Sequence, residues 1–388
     1  MTRTTSLLSP VLMLLSAGVH AAPATLLPPA PGDLAAPAAV ASPVASRAPA
    51  GGRLRYTWPI DQAADDLAAA PAHRAESVGH MLDVSAAGLR RGLTVTIGEP
   101  GALIHLSPRA GRVDPASLVI EDPRGRPLQA GAGYQLVGGA DAVAVRLDPA
   151  VGVGLFLVRA VADADVHVDV REQRSAVVLA ARAERDVVFA GDRVVVHALV
   201  ARGGQALPGA RVTARLVDPQ GRDRGGLVRG RGGSLVGELP PGDAGPPGAL
   251  WSVALTADVV VDGVAVRRSL SAAFAVSVPT ARLTGEAAVS ARDGVRVGLG
   301  LDVASPGRYA ATATLYGTNR EGALQPIAVG QSADDLGPGR GWLELEFDAA
   351  AVAASGMRAP FELRDVRLAD QGRMYVLHRQ ARGLPLAR

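Results

Sequence analysis

Apolar residues recur at every second position in many short segments of this chain, and turn-forming Gly, Pro and Asp residues separate those segments. The stretches 93–97, 143–147 and 211–217 all alternate in this way. Alternation with a period of two is typical of strands with one buried face, whereas an amphipathic helix repeats every three to four residues. Many such strands in succession predict an all-β fold built from tandem β-sandwich, immunoglobulin-like domains.

The chain has 388 residues, of which 48% are hydrophobic. A length of about 150 residues per domain therefore suggests two or three domains with sizeable cores. Composition and the order of strands and turns together predict five parts. These are a signal peptide at 1–21, a disordered Ala/Pro-rich linker at 22–52, a first β-sandwich at 53–174, an immunoglobulin-like domain at 175–280 and a C-terminal β-sandwich at 281–388.

The first residues have the form of an export signal. Arg3 precedes the apolar stretch 7–18, which is short for a membrane span, and a small-x-small site ends at Ala21. An uncleaved membrane anchor is the alternative interpretation. No later stretch predicts a transmembrane helix, so we expect a secreted or periplasmic protein once the signal is removed.

Three local signals predict details of the fold. The tip Asp262-Gly263 predicts a hairpin over 259–266. Asp61 is a candidate N-cap for a short helix that ends before Pro71, and a second short helix is expected from Asp348 to Gly356. The Pro-rich segment 22–52 lacks periodicity and is expected to be an extended spacer.

Composition excludes several classes of function. The chain has no Cys, which excludes a thiol nucleophile, disulfides and a thiolate zinc site. Every basic side chain is Arg, and the 40 Arg residues are interleaved with 37 Asp and Glu residues for a net charge of +3. Nucleic-acid binders concentrate positive charge on one face, so we expect no nucleic-acid partner.

Several segments resemble a secreted Gram-negative bacterial family of unknown function that is built from three consecutive β domains. The resemblance lies in Pro306-Gly307-Arg308-Tyr309, Leu315-Tyr316-Gly317, Ser355-Gly356, 360–368 and 370–374, with 100–102 and 105–108 in the first block. It implies export and stacked immunoglobulin-like domains, and it carries over no catalytic or binding residue. The Gly-x-Tyr strand also resembles domains that recur in other secreted and surface-anchored proteins.

Motifs for catalysis are lacking, because the chain has no G-x-S-x-G elbow, no H-E-x-x-H and no phosphate loop. The best metal candidate is one strand face that carries Asp163, Asp165, His167 and Asp169, a set of carboxylates and imidazole suited to a divalent cation. The alternative is a solvated strand face whose charges discourage edge pairing. A looser cluster is His73, Glu76 and His80, whose spacing matches no known zinc signature.

Trp342 is the aromatic residue of most interest, because alternation places it on one face with Glu344 and Glu346. An exposed Trp beside carboxylates can stack on a sugar or dock a partner, and the alternative is that it covers the sandwich edge. Trp58, near Tyr56, is expected to anchor the linker onto the first domain.

These observations favour an exported, non-catalytic protein that binds an unknown protein or glycan partner, in the envelope or outside the cell, through its sandwich loops. We predict no cofactor and no metal, catalytic or cofactor-binding residue. A secreted hydrolase with a site built from scattered residues, and an accessory or inhibitor module of another exported protein, are the alternatives.

Overall fold

The computed structural model describes residues 22–47, 51–61, 73–138, 141–291 and 293–386. The predicted signal peptide and nearly all of the helix predicted from Asp61 lie outside these residues. Most regular structure in these residues is β-strand, and the strands form three sandwiches that follow one another along the chain. No described helix is both long and apolar enough to cross a bilayer.

Three strands at the amino end precede the sandwiches, namely β1 (Ala22–Thr25), β2 (Leu34–Ala35) and β3 (Leu54–Pro59). A fourth, β4 (Ala75–Ser77), leads into the first sandwich. We refer to the described residues 22–47 and 51–61 as the N-terminal strap.

The first sandwich has two antiparallel sheets, in the orders β5-β12-β7-β10-β9 and β6-β11-β8. Its elements are β5 (Gly79–Val84), α1 (Ala86–Arg91), β6 (Leu93–Ile97), β7 (Leu103–Pro108), β8 (Val113–Glu121), β9 (Tyr134–Leu136), β10 (Val143–Leu147), β11 (Gly154–Ala162) and β12 (Val166–Arg171). The alternation at 93–97 coincides with β6. The sandwich encloses an apolar core of its own, which includes Leu106, Ile120 and Phe156.

The second sandwich pairs the sheets β19-β20-β15-β13-β4, with β16 on β15, and β14-β22-β21-β17-β18. Its strands are β13 (Val177–Ala183), β14 (Val187–Phe189), β15 (Arg193–Arg202), β16 (Gln205–Ala206), β17 (Arg211–Val217), β18 (Asp223–Gly226), β19 (Val228–Arg229), β20 (Leu235–Glu238), β21 (Leu250–Val261) and β22 (Val264–Ser277). The hairpin predicted at 259–266 is confirmed, since Val261 pairs with Val264 across Asp262 and Gly263, both at positive φ.

The third sandwich contains the sheets β1-β23-β24-β27 and β2-β29-β28-β25-β26-β3. Its elements from this part of the chain are β23 (Ala281–Ser290), β24 (Val295–Val303), β25 (Gly307–Thr318), β26 (Leu324–Leu336), β27 (Gly339–Phe347), α2 (Ala349–Ala354), β28 (Arg358–Asp370) and β29 (Tyr375–Leu386). The helix predicted from Asp348 is α2, and the Asp348 side chain accepts the Ala350 N–H at 2.8 Å.

The N-terminal strap differs from the disordered linker predicted for 22–52. β1, β2 and β3 each occupy an edge of a third-sandwich sheet, and the backbone N–H of Leu26 donates to the Gly285 carbonyl at 2.8 Å. The guanidinium of Arg373 donates to the Val44 carbonyl at 2.6 Å. A Pro-rich chain is extended and leaves its carbonyls free, and an edge position tolerates residues without an N–H, so the same composition fits an ordered edge.

Two strands thus pair outside the sandwich in which the sequence predicted them. β3 and β4 fall within 53–174, yet β3 pairs with β26 of the third sandwich and β4 with β13 of the second. The second and third sandwiches and Leu26 of the strap share one continuous apolar core, which includes Val177 and Leu386.

Candidate functional site

The carboxylates and imidazole proposed as metal ligands lie in the first sandwich, at and just before β12. Each has its own partner: Asp163 accepts the Arg112 N–H at 3.0 Å, and Asp165 accepts the Ala86 N–H at 3.3 Å. Nδ1 of His167 is 3.1 Å from the Asp83 carboxylate, and Asp169 pairs with Arg171 at 2.5 Å. No cluster of three or more metal-ligating side chains is present among the described residues.

The suggestion that these charges protect a sheet edge is wrong. β12 lies in the interior of its sheet, between β5 and β7. The charged side chains instead cover the outer face, because the alternating Val166, Val168 and Val170 point into the core.

The histidines of the looser cluster have different surroundings. His73 is exposed, and Glu76 pairs with Arg74 at 2.8 Å. His80 on β5 is buried, and neither ring nitrogen has a hydrogen-bond partner in the described part of the chain. Burial, together with the nearby charges of Arg267 and Arg268, lowers the pKa of His80 to about 4.

A buried ion pair beside His80 joins the first and second sandwiches. Arg268 of β22 donates to the Glu172 carboxylate at 2.6 Å and to the Val177 carbonyl at 2.9 Å. Burial raises the pKa of Glu172 even though the guanidinium lies next to it. The sequence analysis did not identify this pair. Arg267 and Arg268 are adjacent in a strand, where neighbouring side chains point to opposite faces, so one of the two arginines must point inward.

Trp342 lies on β27, an edge strand of the third sandwich, and its side chain is on the outer face of the sheet. Leu343 and Leu345 alternate with it and are buried, whereas 46% of Trp342 is exposed. The predicted face with Glu344 and Glu346 is therefore observed. The edge position also agrees with the alternative interpretation, but the indole leaves nearly half of its surface to solvent.

The indole lies along β24, where glycines leave room for it. Trp342 pairs with Gly300, and its Cε3 would be 3.5 Å from a Cβ placed on Gly298, two positions along the same face. Because no side chain rises from these two glycines, the ring extends over the sheet instead of standing away from it. This arrangement presents an aromatic surface that a ligand can stack on.

Ion pairs surround the indole on the same face. Arg55 of the strap lies 2.9 Å from Glu344, and Arg296 lies 3.0 Å from Glu346. Arg340 approaches Glu286 at 3.3 Å and Asp302 at 3.2 Å. We call Trp342, Gly298, Gly300 and these ion pairs the Trp342 platform. Its rim carries hydrogen-bond donors and acceptors, and with Arg282, which also pairs with Asp302 at 2.5 Å, four arginines balance four carboxylates.

A second exposed aromatic pair occupies a different surface. Tyr56 and Trp58 of β3 stack with ring centroids 5.6 Å apart, and both are about half exposed. We predicted that Trp58 anchors this segment onto the first sandwich, and that prediction is wrong, because the strand of Trp58 pairs with β26 of the third sandwich. The strap instead joins the third sandwich, because its edge partners are there.

The glycine-rich stretch 232–237 contains one serine, Ser234. The Ser234 hydroxyl donates to the Arg231 carbonyl at 2.9 Å, and it is buried beside a turn. A cleft of about 460 Å³ lies elsewhere, between the second sandwich, the strap and β29.

The fold of this chain matches that of a protein of known structure. A crystal structure of a DUF4785 family protein from Legionella pneumophila matches with a TM-score of 0.74 at 20% identity, over 93% of this chain and 99% of that chain. The FN1–FN3 domains of chicken CNTN1 cover 74% of this chain and 93% of that chain at 10% identity, with a TM-score of only 0.23. No curated protein sequence matches the chain.

Two family models match the chain itself. The N-terminal domain of DUF4785, a domain of unknown function, matches residues 50–172, and the C-terminal domain of DUF4785 matches residues 280–387. Together with the tandem β-sandwich fold shared with the Legionella protein, these matches show that the chain belongs to the DUF4785 family, whose function is unknown.

Proposed function

We propose that this protein is an exported, non-catalytic binding protein that holds a neutral glycan against the Trp342 platform. The observation that carries the proposal is the half-exposed indole lying along the glycines of β24. A sugar ring can place its C–H face on such a surface while its hydroxyl groups reach polar side chains at the rim.

The rim favours a neutral ligand. Arg55, Arg296, Arg340 and Arg282 pair with four carboxylates beside the indole, so the platform presents donors and acceptors without excess charge. Pairing also holds the long side chains in place, which reduces the conformational entropy that a ligand would otherwise have to remove. The export signal predicted at 1–21 supports a role in the periplasm or outside the cell, where glycans are abundant.

Affinity electrophoresis through gels that contain soluble polysaccharides tests the proposal. The wild-type protein is expected to be retarded by at least one neutral polysaccharide, and Trp342→Ala is expected to abolish the retardation. Trp58→Ala is the matched control, because Trp58 is equally exposed but lies on another sheet. Circular dichroism verifies that both variants fold.

Retention of the Trp342→Ala variant equal to that of the wild type would contradict the proposal, as would the absence of retardation in every gel. The same preparations are assayed with ester, glycan and peptide substrates. Turnover that is lost on changing a single described residue would instead favour the hydrolase alternative.

A further inference from the structure

The cleft of about 460 Å³ forms where three parts of the chain meet. One wall comes from β13 and the turn that follows it, and the opposite wall from the strap at Gly32 and Leu34 and from Arg379 of β29. Ala272 and Val187 line its apolar part. A concave site with an apolar floor and a few charged groups at a junction between domains is the usual setting of a small-molecule site.

Two arginines in the cleft have no carboxylate partner in the part of the chain that the structure describes. Asp186 is 2.6 Å from Nη1 of Arg379, and Glu184 is 3.6 Å from Nε2 of His197. Arg182 and Arg185 also line the cleft, and neither has an ion-pair partner among the described residues. Asp186 is therefore engaged by Arg379, whereas Arg182 and Arg185 line the cleft with no ion-pair partner in the described ranges.

The geometry points to a second binding site in this cleft, for a small organic anion. The carboxylate or phosphate of the ligand is held by Arg182 and Arg185, and its apolar part lies against Leu34, Val187 and Ala272. Guanidinium groups offer planar pairs of N–H donors that match both of these oxyanions. The site is distinct from the Trp342 platform and does not depend on the glycan proposal.

Isothermal titration of the full chain at low salt tests the inference with hexanoate, hexyl phosphate and the uncharged 1-hexanol as probes. We expect hexanoate, hexyl phosphate or both to bind, with an affinity that falls as salt is added, and 1-hexanol to bind at least tenfold more weakly. Binding of only one of the two anions identifies the headgroup. The double variant Arg182→Gln/Arg185→Gln is expected to weaken binding at least about tenfold, because hydrogen bonds to charged groups are lost.

Arg320→Gln is the matched control, since Arg320 is an exposed arginine in the turn between β25 and β26. It is expected to bind the anions as the wild type does. Three results would overturn the inference: no binding of either anion, equal binding of 1-hexanol, or unchanged affinity of the double variant. The double variant is also run in the polysaccharide gels. If it is retarded there like the wild type, its loss of anion binding is not caused by failure of the Trp342 platform.

Discussion

The joint between the first and second sandwiches differs in chemistry from the joint between the second and third sandwiches. The second and third sandwiches share one apolar core, to which the strap adds Leu26. The first sandwich closes a core of its own, and its contact with the second includes the buried pair Glu172–Arg268 and a hydrogen bond of 2.7 Å from the Met81 N–H to the Ser269 hydroxyl. An apolar joint has no preferred direction, whereas a polar joint depends on a few exact contacts.

The largest expected effects come from removing one aromatic side chain from each core. Phe156→Ala and Trp251→Ala each delete a fully buried ring, which costs about 3–5 kcal/mol. If the cores are independent, Phe156→Ala lowers the unfolding temperature of the first sandwich alone. Trp251→Ala lowers that of the second and third sandwiches together.

Scanning calorimetry combined with limited proteolysis measures this difference. The expected product of Phe156→Ala at intermediate temperature is a protected fragment that lacks the first sandwich. A single transition that both variants shift equally would show that the polar joint couples all three sandwiches, and the comparison would fail.

A somewhat smaller effect is expected from pH at the polar joint. The pKa of His80 is lowered from 6.5 to about 4, so between these values the unfolded chain binds a proton that the folded chain excludes. Folding stability therefore falls as the pH drops from 6.5 to 4, by about 3 kcal/mol from this residue. Arg267 and Arg268 strengthen the effect, and Asp169 and Asp258 oppose it.

Urea unfolding of the wild type and of His80→Leu from pH 7 to pH 4 tests this expectation. The variant removes two buried nitrogens without partners, so it is expected to be more stable than the wild type at pH 5 and to show a flatter pH dependence. Leu155→Ala, at an exposed leucine of the first sandwich, changes no titratable group; it is the control and is expected to keep the wild-type slope. An unchanged slope for His80→Leu would contradict the assignment.

The smallest of the three effects concerns the strap. Leu26→Ala removes a buried side chain where the strap enters the shared core and is expected to cost about 2 kcal/mol. Leu54→Ala changes an exposed leucine of the same strap and is expected to cost less than about 0.5 kcal/mol. Hydrogen exchange of β23 and β29 measures both effects, and equal exchange in the two variants would mean that the strap does not stabilise the third sandwich.

Local patterns allowed much of the fold to be predicted. The alternation of 93–97 determines β6, the Asp262-Gly263 tip determines the hairpin, and Asp348 caps α2. These features depend on residues that are neighbours in sequence. The class of fold follows from them because repeated short strands bury one face each.

Features that depend on distant residues were not predictable in this way. Composition shows that the strap is extended, but not that free sheet edges lie more than 200 residues further along the chain. Likewise, alternation places Trp342 on an outer face, while the room for its indole comes from Gly298 and Gly300 on another strand. No sequence pattern singled out Arg182 and Arg185 of the cleft, because their lack of partners among the described residues is a property of the assembled fold.

The pairing of the strap with the third sandwich has a consequence for biosynthesis. A ribosome releases the amino end first, so β1, β2 and β3 emerge long before the strands that receive them. During that interval their backbone groups are open to unwanted pairing, as in any nascent edge. The many prolines of the strap cannot donate such hydrogen bonds, and they protect the segment from pairing with other newly made chains until the third sandwich has been translated.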